Sequence, residues 1–237
     1  TTNVVLCNEM RQHLLAESVP DERIRAIHNW PDPAIRPLPC NRQPGEPFCI
    51  CYSGNLGRAH NVEAIIDLIE RTQHIPNLHY RFVGGGAGMA RLQHHIRDHK
   101  IASVSFEGYA PRSELSASLA KCEAHLIALD QTCESFIHPS KIYGILAAGR
   151  PVLFIGSATG SVARVIVPPG GPSQEVHAAG LTLPADAPES WAPALEALID
   201  DPDRQAEMGR SARRAHEERY ARAHALGAWA DVLTGAV

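Results

Sequence analysis

Between Phe48 and Ile155 the chain switches repeatedly between two hydrophobic periods. Short apolar runs of strand length alternate with longer segments that are apolar on one helical face. The runs FCICY, LHYRFV, VSF, AHLIAL and VLFI predict strands at Phe48–Tyr52, Leu78–Val83, Val104–Phe106, Ala124–Leu129 and Val152–Ile155. The segments between them predict helices at Val62–Arg71, Ala87–His99, Ser113–Lys121 and Lys141–Ala148. Short, nearly continuous apolar strands are buried on both faces, and parallel strands need a crossover helix. The expected class is therefore α/β: a Rossmann-like parallel sheet with helices on both faces.

The flanks are less regular. Val4–Cys7 and Ile24–His28 read as strands around a helix at Glu9–Glu17. The stretch NWPDPAIRPLPCNRQPGEP is dense in proline and polar residues and reads as a linker. After it, Ser161–Val167 is less regular, Pro188–Asp200 and Pro202–Tyr220 read as helices, and Ala221–Leu233 continues helical. The expected organisation is a leading piece over 1–39, one Rossmann-like domain over 40–220 and a final helix over 221–237.

Composition excludes several functions. A net charge of -4 argues against a nucleic-acid-binding surface, which would be basic. No apolar run approaches the roughly 18 residues needed to cross a bilayer. The opening TTNVVLCNEMRQ shows no basic start followed by an apolar core, and a cytoplasmic location is the expectation. The six cysteines are scattered, and Cys49 and Cys51 share one strand face, so free thiols are expected rather than bridges. Among 13 histidines, His95 and His99 have the spacing of two ligands on one helix face. They lack the glutamate of a zinc-protease helix and sit in HHIRDHK, which reads as a solvated surface, so no bound metal is expected.

In such sheets ligands bind beyond the carboxyl ends of the strands. Three loops there carry suitable chemistry. The first is SGNLGRAH after Phe48–Tyr52, with Gly54, Asn55, Arg58 and His60. Its glycines let backbone approach a ligand, and Arg58 offers a planar fork to phosphate oxygens. The second is Gly84-Gly85-Gly86, which reads equally as a turn or as a ligand loop. The third is Pro139-Ser140-Lys141, where proline suits a first helical turn, Ser140 is a candidate capping hydroxyl and Lys141 adds a positive charge exposed at the helix start. Free N–H groups at a helix start favour an anion. Neither a Walker loop nor a dinucleotide fingerprint is present, since Met89 stands where GxGxxG would end. The residues alone thus point to an α/β domain that holds a phosphorylated ligand.

The strings YSGNLGRAHN, FVGGGAGMARLQ, VSFEGYAPRSELSASLAKCEAHLIAL and HPSKIYGILAAGRPVLFIG follow one another in this order. Together they resemble the carboxyl-terminal half of the family-4 retaining glycosyltransferases of the GT-B fold. The likeness is nearest to enzymes of colanic-acid and exopolysaccharide type. The resemblance implies transfer of a sugar from a nucleoside-diphosphate donor, with UDP the default carrier, to a glycan or lipid-linked acceptor. It implies retention of configuration, no metal and no cofactor, in bacterial surface polysaccharide synthesis. It assigns Lys141 and Arg58 to the charge on the leaving diphosphate. It assigns Gly54, Asn55, His60, Gly85, Tyr109, Ala110, His138, Pro139, Ser140 and Gly144 to the donor. It also implies an acceptor domain, so that this chain is expected to be a fragment, an isolated domain or half of a split enzyme, placed in the cytoplasm or at the inner membrane face. The final helix, with Leu226 and Trp229, would then be partly exposed and able to self-associate.

The departures are equally specific. Many members carry arginine and lysine at the positions of Asn55 and His60. The carboxylate that holds the ribose falls on Gly144, and its partner on Phe136, with Glu134 two residues away. Glycine inside a helix costs about 1 kcal/mol against alanine, so Gly144 implies close packing by a ligand or a neighbour. A non-catalytic nucleotide-sugar or partner-binding module, and a nucleotide-sugar epimerase on the same architecture, remain open alternatives.

Overall fold

The computed structural model describes residues 1–40, 42–43, 45–167 and 178–235. Two parallel sheets organise them. The small one pairs β1 (Asn3–Val5) with β2 (Ile24–Ala26), joined by α1 (Asn8–Ala16). The large one holds β3 (Phe48–Asn55), β4 (Leu78–Gly85), β5 (Val104–Glu107), β6 (Ala124–Ala128), β7 (Val152–Gly156) and β8 (Gly180–Pro184). Its spatial order is β5-β4-β3-β6-β7-β8, with every pairing parallel. The expected Rossmann-like class is therefore the observed one. The order reverses between β3 and β6, and that reversal opens a crevice at their carboxyl ends.

The crossovers are α2 (Val62–Arg71), α3 (Ala87–Asp98), α4 (Leu115–Ala120), α5 (Lys141–Ala147) and α6 (Ser161–Ile166). One core packs α2, α3 and α7 (Trp191–Ile199) against one face of the sheet, through Ile65, Leu68, Leu92, Trp191 and Leu195. The other packs α5, α6 and α8 (Pro202–Ala215) against the opposite face, through Ile142, Leu146, Val162 and Ala212. Such double covering explains why β6 and β7 are buried at every position.

Four local readings are corrected. Ser161–Val167, expected to be less regular, holds the helix α6. The strand β8 carries no clear signal in the sequence, because GLTLP is short and bounded by glycine and proline. The helix expected over Pro202–Tyr220 ends at Ala215 and passes into a wider turn over His216–Tyr220, which buries Tyr220 against His28 and Tyr143. It does not continue directly: Ala221 is extended, and α9 (Arg222–Thr234) starts afresh. On α9 Leu226 is exposed and Trp229 half-buried. All six cysteines are free. Among the described residues no helix is long and apolar enough to cross a membrane.

The proline-rich stretch after β2 is not a loose tether. Ile35 is buried with Leu119, Ala147 and Ala148. Arg150 donates to the Leu38 carbonyl at 2.5 Å, and the Arg36 amide donates to Ser116 Oγ at 2.9 Å. Asp32 pairs with Arg112 at 2.6 Å. The segment thereby runs past the start of α5 and forms one wall of the crevice.

The glycine loop after β4 has a backbone reason. Gly84 sits at φ +132°, and a Cβ there would run into the Gly54 carbonyl on β3. Gly84→Ala is expected to cost about 2 kcal/mol, by strain in a left-handed backbone and by pushing β3 from β4. Urea unfolding followed by circular dichroism checks it; an unchanged midpoint would show that the two strands can separate without loss.

Candidate functional site: the crevice between β3 and β6

Two loops meet at the switch point. The chain leaving β3 folds into a turn at Leu56–His60, and the Asp130 amide, just past β6, donates to the Ala59 carbonyl at 3.0 Å. The Leu56 amide donates to the Gly85 carbonyl at 2.7 Å, and the Gly88 amide to the Leu56 carbonyl at 2.8 Å. The loops after β3, β4 and β6 are thus locked together. Between them lies a cavity of about 480 Å³, lined by Ser53, Gly54, Asn55 and His60 on one side and by His138, Pro139, Ser140, Lys141 and Gly144 on the other. Trp30, Pro31, Asp32 and Ile35 close it from the proline-rich segment. A larger cavity of about 640 Å³ lies at the opposite end of the strands, near Cys49 and Glu123. Size does not decide between them; the carboxyl-end position and its charges do.

Lys141 dominates the electrostatics. Its ammonium is sealed from solvent and has no hydrogen-bond partner among the described residues. It rests 3.6 Å from the centroid of the Tyr52 ring, with Gly54 alongside. A cation over an aromatic face recovers only part of the lost hydration. Burial accordingly pushes Lys141 down to about 7. The expectation of an exposed Lys141 is corrected, because the Tyr52 ring and the floor of the crevice draw its stem inward.

Two histidines face the same space. The Gly57 amide donates to His60 Nδ1 at 3.2 Å, which leaves the proton of the neutral ring on Nε2. Burial, and then the neighbouring Lys141, push His60 down to about 4. His138 is buried, with Nδ1 3.1 Å from Ser161 Oγ and Nε2 unpartnered among the described residues. Burial, then His28, push it down to about 4 as well. Both rings are neutral at pH 7, which leaves Lys141 as the titrating cation of the crevice lining.

The remaining expectations divide. Ser140 does not cap α5: its backbone is already helical and its side chain makes no capping bond. The first turn is closed instead by the Ile142 amide on the Pro139 carbonyl at 3.2 Å. Gly144 faces Ile35, whose Cδ1 lies 3.3 Å from where a Cβ would stand, so its close neighbour is the proline-rich segment. Glu134 does not take over the ribose position. Its carboxylate accepts the Ser157 amide at 2.8 Å, beside Gly160, outside the cavity lining. Gly85, Tyr109 and Ala110 lie one strand over, with the Tyr109 ring 3.3 Å from a Cβ built on Gly85. Tyr109 is 64% exposed there. Arg58 is exposed at the tip of the first turn and does not line the cavity. Trp30 and Asp32 were not foreseen as cavity residues; the only sequence signal was WPDP directly after a predicted strand.

Residues 40–215 match the family described as glycosyl transferases group 1. The chain belongs to that family. It is 26% identical over 175 residues to the probable glycosyltransferase WbjE of Pseudomonas aeruginosa, a match that spans 69% of this chain and 42% of that protein. It is 28% identical over 156 residues to the putative colanic acid biosynthesis glycosyl transferase WcaI of Escherichia coli (strain K12), across 66% of this chain and 36% of that protein. The matched part is thus less than half the length of these relatives. Among solved structures, HepE of Anabaena in complex with UDP-glucose superposes with a TM-score of 0.78 at 14% identity, over 99% of this chain and 64% of that one. Sucrose-phosphate synthase from Thermosynechococcus elongatus superposes with a TM-score of 0.75 at 20% identity, over 99% and 58%. At those identities the likeness is one of fold, the sheet of a GT-B glycosyltransferase.

Proposed function

We propose that this chain is the donor-binding part of a retaining glycosyltransferase and holds the diphosphate of a nucleotide sugar, by default a UDP-sugar, in the crevice between β3 and β6. The observation that carries the reading is the buried ammonium of Lys141 on the floor of that crevice, without a hydrogen-bond partner among the described residues. A buried cation without an anion is costly, and a diphosphate entering the crevice would relieve the cost. As the bond between sugar and diphosphate breaks, negative charge grows on the leaving oxygen. Lys141 would neutralise it in a site of low dielectric, where a fixed charge acts strongly. The neutral His138 would offer its Nε2–H to the sugar or phosphate, and His60 its own Nε2–H. Arg58, exposed at the tip of the first turn, would add its charge from the rim of the crevice.

This reading needs no metal and no cofactor, because the cationic partner comes from the protein. The acceptor, a glycan or a lipid-linked saccharide, would be held by a second domain, and the similarity to WcaI, described as a putative colanic acid biosynthesis glycosyl transferase, supports a place in surface polysaccharide synthesis. A cytoplasmic site at the inner membrane face suits such an acceptor. Calorimetric titration with UDP, GDP and ADP tests the proposal. Saturable binding of one of them, weakened in Ser140→Ala/Lys141→Ala, is the expected result. No binding of any at millimolar concentration would reject it.

A further inference from the structure

In the sequence His95 and His99 read as solvated, because they lack the glutamate of a zinc-protease helix and sit in HHIRDHK. The fold supplies a third ligand. Helices α2 and α3 pack side by side, and their facing sides carry a ladder of charge. Arg91 pairs with Glu63, and one turn later His95 Nε2 lies 2.8 Å from the Glu70 carboxylate. One more turn on, His99 ends α3 with its ring 4.0 Å from that of His95 and inclined by 21°. One ligand atom each from Glu70, His95 and His99 lies within 4.8 Å of the others.

We infer that Glu70, His95 and His99 form a binding site for a divalent transition-metal ion of the zinc type, which clamps α2 to α3. Three observations carry this. The ligand set, two imidazoles and one carboxylate, is one that zinc accepts with a fourth position left for water. The separations suit it: ligand atoms about 2.0–2.2 Å from one ion stand roughly 3.3 Å apart in a tetrahedron. That value falls between the 2.8 Å of the His95–Glu70 pair and the 4.8 Å that bounds the cluster. The tautomer of His99 also suits it, while His95 Nε2, which donates to the Glu70 carboxylate, would release its proton when the ion binds. His99 Nδ1 lies 2.9 Å from the His95 carbonyl, so Nδ1 carries the proton and Nε2 keeps its lone pair. Metal-bound histidines are held in this way by a carbonyl or carboxylate on the other ring nitrogen.

The place of the site sets its role. α2 begins near the crevice, at Val62, and runs back along the sheet, so Glu70 in its last turn lies at the opposite end of the strands. A metal there would not touch the sugar donor. It would join the solvent-facing sides of two helices that share a buried apolar core and meet outside it through ion pairs, and its effect would be on stability. The inference is independent of the proposed donor site.

Zinc titration of the full chain by calorimetry tests it, with His95→Ala/His99→Ala, Glu70→Gln and, as a control, His94→Ala, whose ring pairs with Asp98 off the cluster. The expected result is one site per chain, weakened at least 10-fold in Glu70→Gln, lost in the double variant and kept in His94→Ala. Because other histidines and the free thiols can also take zinc, nickel-induced broadening of histidine ring signals in the unaltered chain gives a second reading. Broadening centred on His95 and His99 is expected. An isotherm unchanged in the double variant, broadening centred elsewhere, or no saturable binding up to about 1 mM would each overturn the assignment.

Discussion

Replacing Lys141 with methionine is expected to stabilise the ligand-free chain and, in the same protein, to weaken nucleoside-diphosphate binding by about 100-fold. Both effects follow from one geometry. The methionine keeps the unbranched stem over Tyr52 and removes a charge that has no counter-ion among the described residues. The displacement of Lys141 from the usual lysine range to about 7 measures the penalty for burying that charge. Each unit of displacement corresponds to 1.36 kcal/mol, so a gain of about 2–4 kcal/mol is expected at neutral pH. For a chain of this size that is a rise in thermal midpoint of roughly 5–10 °C. The binding loss has the opposite sign, because a charge-assisted contact to phosphate contributes about 2–3 kcal/mol. Scanning calorimetry reads the first effect and titration with the preferred nucleotide reads the second. A variant that is destabilised, or that binds as tightly as the parent, would show that Lys141 is a packing residue and leave the crevice without its anion partner. The combination is what a binding site kept at the expense of stability should show.

How much of this was legible before any coordinates existed depends on the range of the interactions. The strands β3 to β7 and their crossovers follow from local period, and all five were placed within a few residues. That the crevice lies between SGNLGRAH and HPSK follows from the position of those loops after strands, given the topology rule for parallel sheets. What could not be read was set by contacts distant in sequence. Gly84 is needed because Gly54, thirty residues earlier, lies directly opposite it in register. Gly144 is explained by Ile35, more than a hundred residues away, on a segment that composition marked only as a linker. The capping role given to Ser140 failed because its backbone is already helical and its side chain makes no capping bond. Lys141 was selected for its charge, but its burial over Tyr52, which gives that charge its chemistry, depends on β3 and β6 being neighbours. Glu70 joined His95 and His99 for the same reason: helix spacing shows two ligands on one face, never the third from the helix beside it.

The last expectation concerns pH, and its sign follows from the same lysine. A lysine held at about 7 in the folded chain and near 10.5 when unfolded burdens the fold fully below pH 7. As pH rises from 7 towards 10.5 the folded chain has released this proton while the unfolded chain still holds it, so this group's burden is lifted over that window. Anion binding runs the other way. The bound diphosphate favours the ammonium and returns Lys141 towards its ordinary value, so binding above pH 7 must take up a proton. At pH 8 a group of pKa 7 is about nine-tenths neutral, and uptake of about 0.9 proton per nucleotide is expected. Affinity should fall between pH 7 and 9, by up to about tenfold per unit. His60 and His138 lie near 4 and are already neutral across this range, so they neither supply nor mask the proton. Calorimetry at pH 8 in two buffers of different ionisation heat measures the uptake directly. It should be present in the parent and absent in Lys141→Met. Uptake in both would place the titrating group elsewhere, and uptake in neither would mean that the ammonium does not meet the phosphate. Only the expected pair of results ties the buried charge of the crevice to the ligand proposed to bind there.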